Sequence, residues 1–427
     1  MVRNMHAGRT LAGVATGALI LAMGAVAAQA ETYHYLTAKS MDGPVIKAFI
    51  DVVAEYKQTH PDFDVTIENI PDRPAYLQKV KILATSGELP ELFDADAEPY
   101  FEDIVEAGLV ANIGEIFDEI GVTEKFIPFT LDYERFDDGS LWLIPFEANV
   151  EYFYYHKDMF EQAGLELPKT IDDFLASCTA LKGAGLTPIS VAGKEGWPMY
   201  RYLSMPSWRR MGNEFLDKLK VGEESMASEV GLEDARFFQE LGANCFQQGF
   251  ASTDYTTALN MFLSGQSAIY YVGTWEIASL LDENKALRDD IAYFKMPIID
   301  GNDVTGPNDF YAHSGIGTAI RADAATDELK DFLSFMVERF GDISHNTYGG
   351  LPSTKIEMTD DMPAIYRDIL TDMAAVSDYA RVWDVKLDAA TVDTLFRQSQ
   401  LLGLGEITPE QFAQEIDRSI QQYASGQ

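Results

Sequence analysis

The chain has 427 residues, enough for two or three domains at roughly 100–200 residues each. Lysine and arginine number 32 against 68 acids, and the resulting net charge of −36 repels phosphate backbones and anionic lipid, which excludes nucleic acid as a partner. Two cysteines exclude a disulfide-rich scaffold and a cysteine zinc site, and a composition that is 47% hydrophobic excludes disorder. Such a surface suits a soluble protein whose ligand is neutral or cationic.

The first thirty residues read as a secretory leader. Arg3 and Arg9 supply a positive start, an apolar run covers 11–28, and Ala28, Gln29 and Ala30 form an A-x-A cleavage signal. The run is short and rich in Gly and Ala, unlike a membrane anchor, and no cysteine near the cut offers a lipid attachment point. Cleavage after Ala30 into the periplasm is the expectation. Export permits a disulfide, and the spacing of Cys178 and Cys245 leaves open whether they pair.

Residues 33–37 read as a strand. Pro44 then opens a segment whose apolar positions Val45, Ile46, Phe49, Ile50, Val53 and Tyr56 recur at helical spacing, stopped by His60 and Pro61. Phe63, Val65 and Ile67 alternate as a strand, 76–85 read as a helix ending at Gly87, and 91–94 as a third strand. Strand–helix alternation predicts a parallel sheet, with ligands beyond the carboxyl ends of its strands, so the loops at 38–42 and 94–98 are contact candidates.

Between the apolar runs at 141–144 and 150–155 lies Pro145, which has no N–H for a central strand, so 145–149 predict a crossing between domains. A second α/β segment follows, with helices at 171–181, 237–245 and 257–263 and strands at 187–191, 267–272, 295–299 and 311–320. Further helices are predicted at 328–340 and 389–402. The acid-rich stretch 300–309 lacks the glycine and glutamate spacing of a calcium loop and reads as a turn, so neither a metal nor a cofactor is implied.

Several fragments resemble one family when taken in order. ILATSGELPELFDAD is similar to an A-x-G-x-x-P-D approach to the third strand. PFEANVEYFYYHKDMFEQAGLELPKTIDDF resembles the crossover, a Tyr-Asn-Lys-Asp element and a P-x-T-W-D-E-F helix start, with His156 for the usual Asn and Asp172 for the usual Trp. FLSGQSAIYYVGTWE is similar to F-x-x-G-x-A-A-M-x-x-x-G-x-W, and YGGLPSTK to a second-hinge G-x-x-P. The chain resembles the extracellular solute-binding proteins of ABC importers, in the carbohydrate-binding group that includes maltose-binding protein. The resemblance implies a two-lobed α/β fold, each lobe a mostly parallel sheet flanked by helices, joined by hinge strands and closing on a sugar. It places 31–146 with 310–347 in the first lobe and 150–305 with 350–427 in the second. Its partners would be a small carbohydrate and the transmembrane permease subunits, met by a monomer without a membrane anchor.

A sugar offers apolar ring faces and hydroxyls, so its site needs flat aromatics and planar polar side chains. Of the five tryptophans, Trp275 follows a predicted strand and Gly273 and matches the family's cleft tryptophan. Trp383 and Trp197 are also candidates, whereas Trp142, between two leucines, reads as structural. Asp94 and Asp96 end the third strand and can accept sugar hydroxyls in charge-assisted bonds. Lys39 and Ser40 lie in the first loop, Glu147 and Asn149 on the crossing, and Asp309 and His313 where the chain returns to the first lobe. Two other readings stay open: a secreted glycoside-active enzyme, and the same fold holding a cationic non-sugar solute. No H-E-x-x-H, G-x-S-x-G or G-x-G-x-x-G occurs, and the mature histidines are scattered without ligand spacing, so the expectation is a binding protein with no catalytic residues.

Overall fold

The computed structural model describes residues 31–424 except 303, 361 and 377, so the leader lies outside the described residues. The strands in chain order are β1 (Glu31–Thr37), β2 (Phe63–Asn69), β3 (Leu92–Ala95), β4 (Asn149–His156), β5 (Ile189–Ser190), β6 (Ile269–Gly273), β7 (Ile291–Phe294), β8 (Ala312–His313) and β9 (Gly317–Ile320). They build two sheets. One has the order β2-β1-β3-β9, and the other runs β5-β6-β4-β7 with β8 on β4.

The first sheet follows from the alternation of its side chains. In β1, Tyr33 and Tyr35 face one side while Leu36 faces the other, and in β3 Leu92 and Phe93 divide the same way. One side is covered by the helix Pro44–Tyr56 and the helix Asp327–Asp342, where Phe49 and Tyr56 meet the Phe332 ring at 6.0 and 5.3 Å. Pro44 stands in the first turn, where its missing N–H costs nothing, and Ile46, Phe49 and Val52 are buried. Each such side chain contributes about 1.5–3 kcal/mol of burial. Ile50 falls off this stripe and is exposed. The other side carries the helices Arg73–Ser86 and Pro99–Glu106 through Tyr76, Phe101 and Ile104. Asp72 caps the former by accepting from the Ala75 N–H at 2.9 Å, and Gly87 ends it at φ 73°.

The second sheet departs from the predicted direction. β5 and β6 are parallel, but β4 is antiparallel to β6, β7 and β8. β4 sits at the centre, and its neighbours all arrive from the opposite end, so the helix after it does not make a parallel crossover from β4. The strand predicted at 295–299 falls instead at β7, because Pro297 has no N–H to donate, and only Ile298 makes an isolated bridge, to Thr170. The predicted strand at 311–320 breaks at Gly315, φ 72°, into β8 on the second sheet and β9 on the first. The chain therefore returns to the first sheet after His313. Phe310, Tyr311 and Ala312 pack with the second core.

Cys178 on the helix Ile171–Gly183 and Cys245, at the C-terminus of the helix Glu229–Asn244, form a disulfide that closes a 67-residue separation. Both are fully buried in the second core. Loop-closure entropy for that span is worth about 4 kcal/mol, with measured disulfides commonly near 2–4. Cys178→Ala with Cys245→Ala is expected to lower unfolding stability by about 2–4 kcal/mol in urea titrations. A loss of a few tenths would mean that the crosslink constrains nothing that packing does not already hold.

Candidate ligand cleft

Among the described residues, three stretches of chain pass between the sheets and lie side by side. Ile144 pairs with Thr318 in the first sheet, and five residues later Asn149 opens β4 opposite His313. The third stretch is tied to the first by Ala148 N–H donating to Leu351 O at 2.9 Å, Ser353 N–H to Phe146 O at 3.0 Å and Ser353 Oγ to Pro145 O at 2.7 Å. These crossings form the floor of the cleft. On it, Asn149 Nδ2 donates to Glu147 Oε2 at 2.7 Å and Asn149 Oδ1 accepts from Thr274 Oγ1 at 3.1 Å. With 2% exposure, the Asn149 amide is committed to orienting the half-buried Glu147 rather than offering its two ends to a ligand.

The second lobe raises an aromatic wall beside this floor. Trp275 follows β6, and its ring lies over Gly273, where a Cβ would stand 1.8 Å from Trp275 Cζ3. Gly273 has extended backbone, so its role is to make room for the indole rather than to turn the chain. Trp275 Nε1–H donates to Tyr255 Oη at 3.0 Å, which in turn donates to Glu276 at 2.7 Å. The Trp275 ring lies 5.8 Å from Trp197, edge to face, and 5.2 Å from His313. Trp197 starts the helix Trp197–Leu203, and Arg201, one turn on, stacks its guanidinium 5.3 Å from the Trp197 ring.

Buried charges brace the wall. Arg201 Nε donates to Glu151 Oε1 at 3.0 Å and Nη1 to Asp384 Oδ1 at 3.0 Å. Gly315 N–H donates to His313 Nδ1 at 3.0 Å, so the neutral ring carries its proton on Nε2, which faces Glu151 Oε1 at 3.2 Å. Burial pushes the Glu151 carboxyl up, but the Arg201 guanidinium and His313 outweigh it and hold Glu151 below the usual carboxylate range. Burial likewise disfavours the Arg201 charge, and Glu151 and Asp384 more than restore it.

The first lobe supplies the facing wall. Asp96 pairs with the Arg73 guanidinium, whose Nη1 is buried without a partner. Glu98 is pushed up to about 7 by burial and by Asp96 beside it. Tyr133 comes within 5.7 Å of the His313 ring. The lobes touch where Lys386 Nζ donates to Ala97 O at 3.2 Å and Lys220 meets Asp137 at 2.7 Å.

The structure thus gathers Glu147, Asn149, Trp197, Trp275 and His313 at the crossings, with Asp96 on the opposite wall. Four sequence candidates serve other ends. Asp94 is 1% exposed and accepts from Tyr35, Thr37, Lys39 and Thr318 side chains and the Ala38 N–H, so no lone pair is left for a ligand. Lys39 is the buried partner of that carboxylate, at 2.5 Å. Asp309 closes a loop by accepting from the Gly306 and Asp378 N–H groups. Trp383 is 3% exposed and stacks on Phe215 in the core, 6.0 Å between rings, because its short helix turns Asp384 and Lys386 to the cleft instead. Ser40 is exposed on the first loop and makes no hydrogen bond to the gathered group. Sequence reasoning missed Glu151 and Arg201, although each is an isolated charge inside an apolar run, EYFYY and MYRYL, and a lone charge there must be paired.

Glu134 sits behind the crossing at Ser314. It is 1% exposed, accepts from Ser314 Oγ through Oε1, and its buried Oε2 has no partner among the described residues. Burial pushes it up to about 8; the Ser314 bond opposes the rise and Asp96 adds to it. The folded state therefore holds a proton that the unfolded chain releases near 4.5, and this group's contribution falls as pH rises from about 4.5 to about 8. Glu134→Gln is expected to flatten that fall, raising stability at pH 8–9 by a few kcal/mol relative to its effect at pH 4. Parallel pH profiles for the two proteins would contradict this.

Comparison with known proteins places this geometry. The multiple sugar-binding protein of Streptococcus mutans is 23% identical over 308 residues, which cover 70% of this chain and 68% of that protein. The alpha-glucosides-binding periplasmic protein of Rhizobium meliloti is 22% identical over 279 residues, 61% of this chain and 60% of the relative's length. The solved structure of a chitin oligosaccharide binding protein superposes with a TM-score of 0.81 at 21% identity, covering 93% of this chain and all of that one, which shows a shared two-lobed fold. Among the described residues no helix is long and apolar enough to cross a membrane. Residues 42–339 match the family model for bacterial extracellular solute-binding proteins, most of the chain from the first loop through the helix that follows β9. The chain belongs to that family.

Proposed function

We propose that the mature protein is the periplasmic binding component of an ABC importer, which captures a sugar or oligosaccharide between its lobes and delivers it intact to the permease. We assign the lobes to 31–146 with 310–347 and 150–305 with 350–427, with the return to the first lobe drawn at His313 because β8 pairs with β4. The observation that carries the reading is the pair Trp197 and Trp275. They are partly exposed, set edge to face at 5.8 Å, and the half-buried Glu147, oriented by Asn149, supplies a polar group on the floor beside them. Indole faces suit sugar C–H surfaces, and fixed polar groups suit hydroxyls. Relatives whose names state sugar binding support the ligand class. The leader is cleaved after Ala30, which mass spectrometry of the exported form checks, and the mature protein acts as a monomer.

A thermal-shift screen of sugars, amines and metals is expected to show a raised melting temperature with one sugar class, and the bound sugar should be recovered unchanged. Shorter sugars released at an enzyme-like rate would sink the transport reading, and a shift with amines alone would replace the ligand class. Within the site, Trp275→Ala is expected to cost about 2–4 kcal/mol of binding, roughly 30-fold to nearly a thousandfold in Kd. A purely structural indole would instead cost about 3–5 kcal/mol of folding stability and leave the affinity of the folded fraction intact.

A further inference from the structure

A cavity of about 610 Å³, open to solvent, lies between the two lobes. Its first-lobe side includes Tyr133 and Asp137, and its second-lobe side includes Lys220, Arg381 and Lys386. Tyr133 belongs to the aromatic wall as well: ring steps of 5.7 and 5.2 Å lead from it through His313 to Trp275. Tyr133 thus joins the cavity lining to the ring series at the crossings.

Its chemistry differs from that of the molecule around it. In a chain of net charge −36, four cations, Arg135, Lys220, Arg381 and Lys386, stand here against four carboxylates, so the cavity is locally balanced rather than acidic. Lys220 and Arg381 have counter-ions at the rim, Asp137 at 2.7 Å and Asp217 at 2.9 Å, on carboxylates that are 63% and 48% exposed. Such exposed pairs are weak and exchange readily for another anion. Lys386 has no carboxylate in ion-pair distance among the described residues. Its Nζ makes one hydrogen bond, to Ala97 O, and keeps two donors. Burial, then the charges of Arg381 and Lys220, pull the Lys386 ammonium down, while Glu134 and Asp137 oppose that pull. Among the described residues the Tyr133 hydroxyl has no hydrogen-bond partner, although the residue is 5% exposed. Of the other lining acids, Asp378 accepts from the Tyr379 N–H at 2.8 Å and Asp132 lies 3.6 Å from Arg135.

From this arrangement we infer that the cavity is an anion-accepting subsite, in which Lys386, Arg381 and the Tyr133 hydroxyl bind a carboxylate or phosphate carried by the captured sugar. A compact oxyanion supplies the counter-charge that Lys386 lacks and accepts the unused donors on both walls, so it also bridges the lobes. The overall negative field opposes entry of such a ligand, which is why the recognition depends on a local cluster of cations rather than on the surface.

The inference rests on the sugar-binding reading, and calorimetry on the mature protein separates the two. The probes are galacturonate and glucuronate, their neutral parents galactose and glucose, and glucose 6-phosphate. At least one acidic probe is expected to bind tenfold or more tightly than its parent. That advantage should shrink between 50 and 500 mM NaCl. The carboxylate and phosphate arms show which oxyanion fits. Lys386→Met, with Lys386→Gln as a second variant, should abolish the advantage, lowering affinity for the acidic probe tenfold or more relative to affinity for its neutral parent. Equal binding of acidic and neutral probes overturns the inference and leaves the sugar reading standing, as does a loss in both variants that is the same for both kinds of probe. Failure of the neutral and acidic probes together, with no sugar found in the thermal screen, removes the sugar reading and the inference with it.

Discussion

A guanidinium taken out of water has to be paired on more than one side, and Arg201 meets that demand with Glu151 from β4 and Asp384 from the short helix Trp383–Lys386. Desolvating each ion costs several kcal/mol, so removing one partner strands the other and commonly costs about 3–5 kcal/mol. The arrangement of the second wall follows from this constraint. Arg201 lies between the Trp197 and Tyr311 rings, 5.3 and 5.4 Å from their centres. Glu151 faces His313, and His313 lies against Trp275. The aromatic surface proposed to meet a solute is therefore held in place by a charge network behind it.

The same network reaches the floor. His313 ends β8 and Glu151 lies in β4, two residues beyond Asn149, so the charges sit where the chain leaves the second sheet. Three crossing segments bonded side by side give the lobes a common pivot, and few residues remain to absorb a change of angle. The conformation described has the walls in contact, through Lys220 with Asp137 and Lys386 with Ala97. A ligand that bridges the walls adds to these contacts, so its apparent affinity includes the equilibrium between separated and joined lobes.

Much of the frame was legible in the sequence because it is set by short-range pattern. The helical stripe from Val45 to Tyr56, the alternation in β2 and the proline at 145 each depend on residues a few positions apart. Trp275 was legible from Gly273 and the apolar strand before it, although the glycine acts by clearance and not by a turn. What was hidden depends on partners distant in the chain. Asp94 reads like a ligand until Lys39 and Thr318 are brought to it, and Trp383 reads like a cleft aromatic until Phe215 stacks on it. The direction of β6 and β7 beside β4 is likewise a tertiary choice, since alternating strands and helices fit either direction. Glu151 and Arg201 did carry a signal, a single charge inside an apolar run, and it pointed to the pair that organises the wall.

That a solute is held between the two lobes, and not on the face of one, is the central claim. Small-angle scattering of the mature protein, with and without a saturating sugar identified by calorimetry, tests it most directly. A smaller radius of gyration is expected with the sugar bound, as separated lobes join around it. An unchanged radius, with binding shown independently on the same sample, would contradict it.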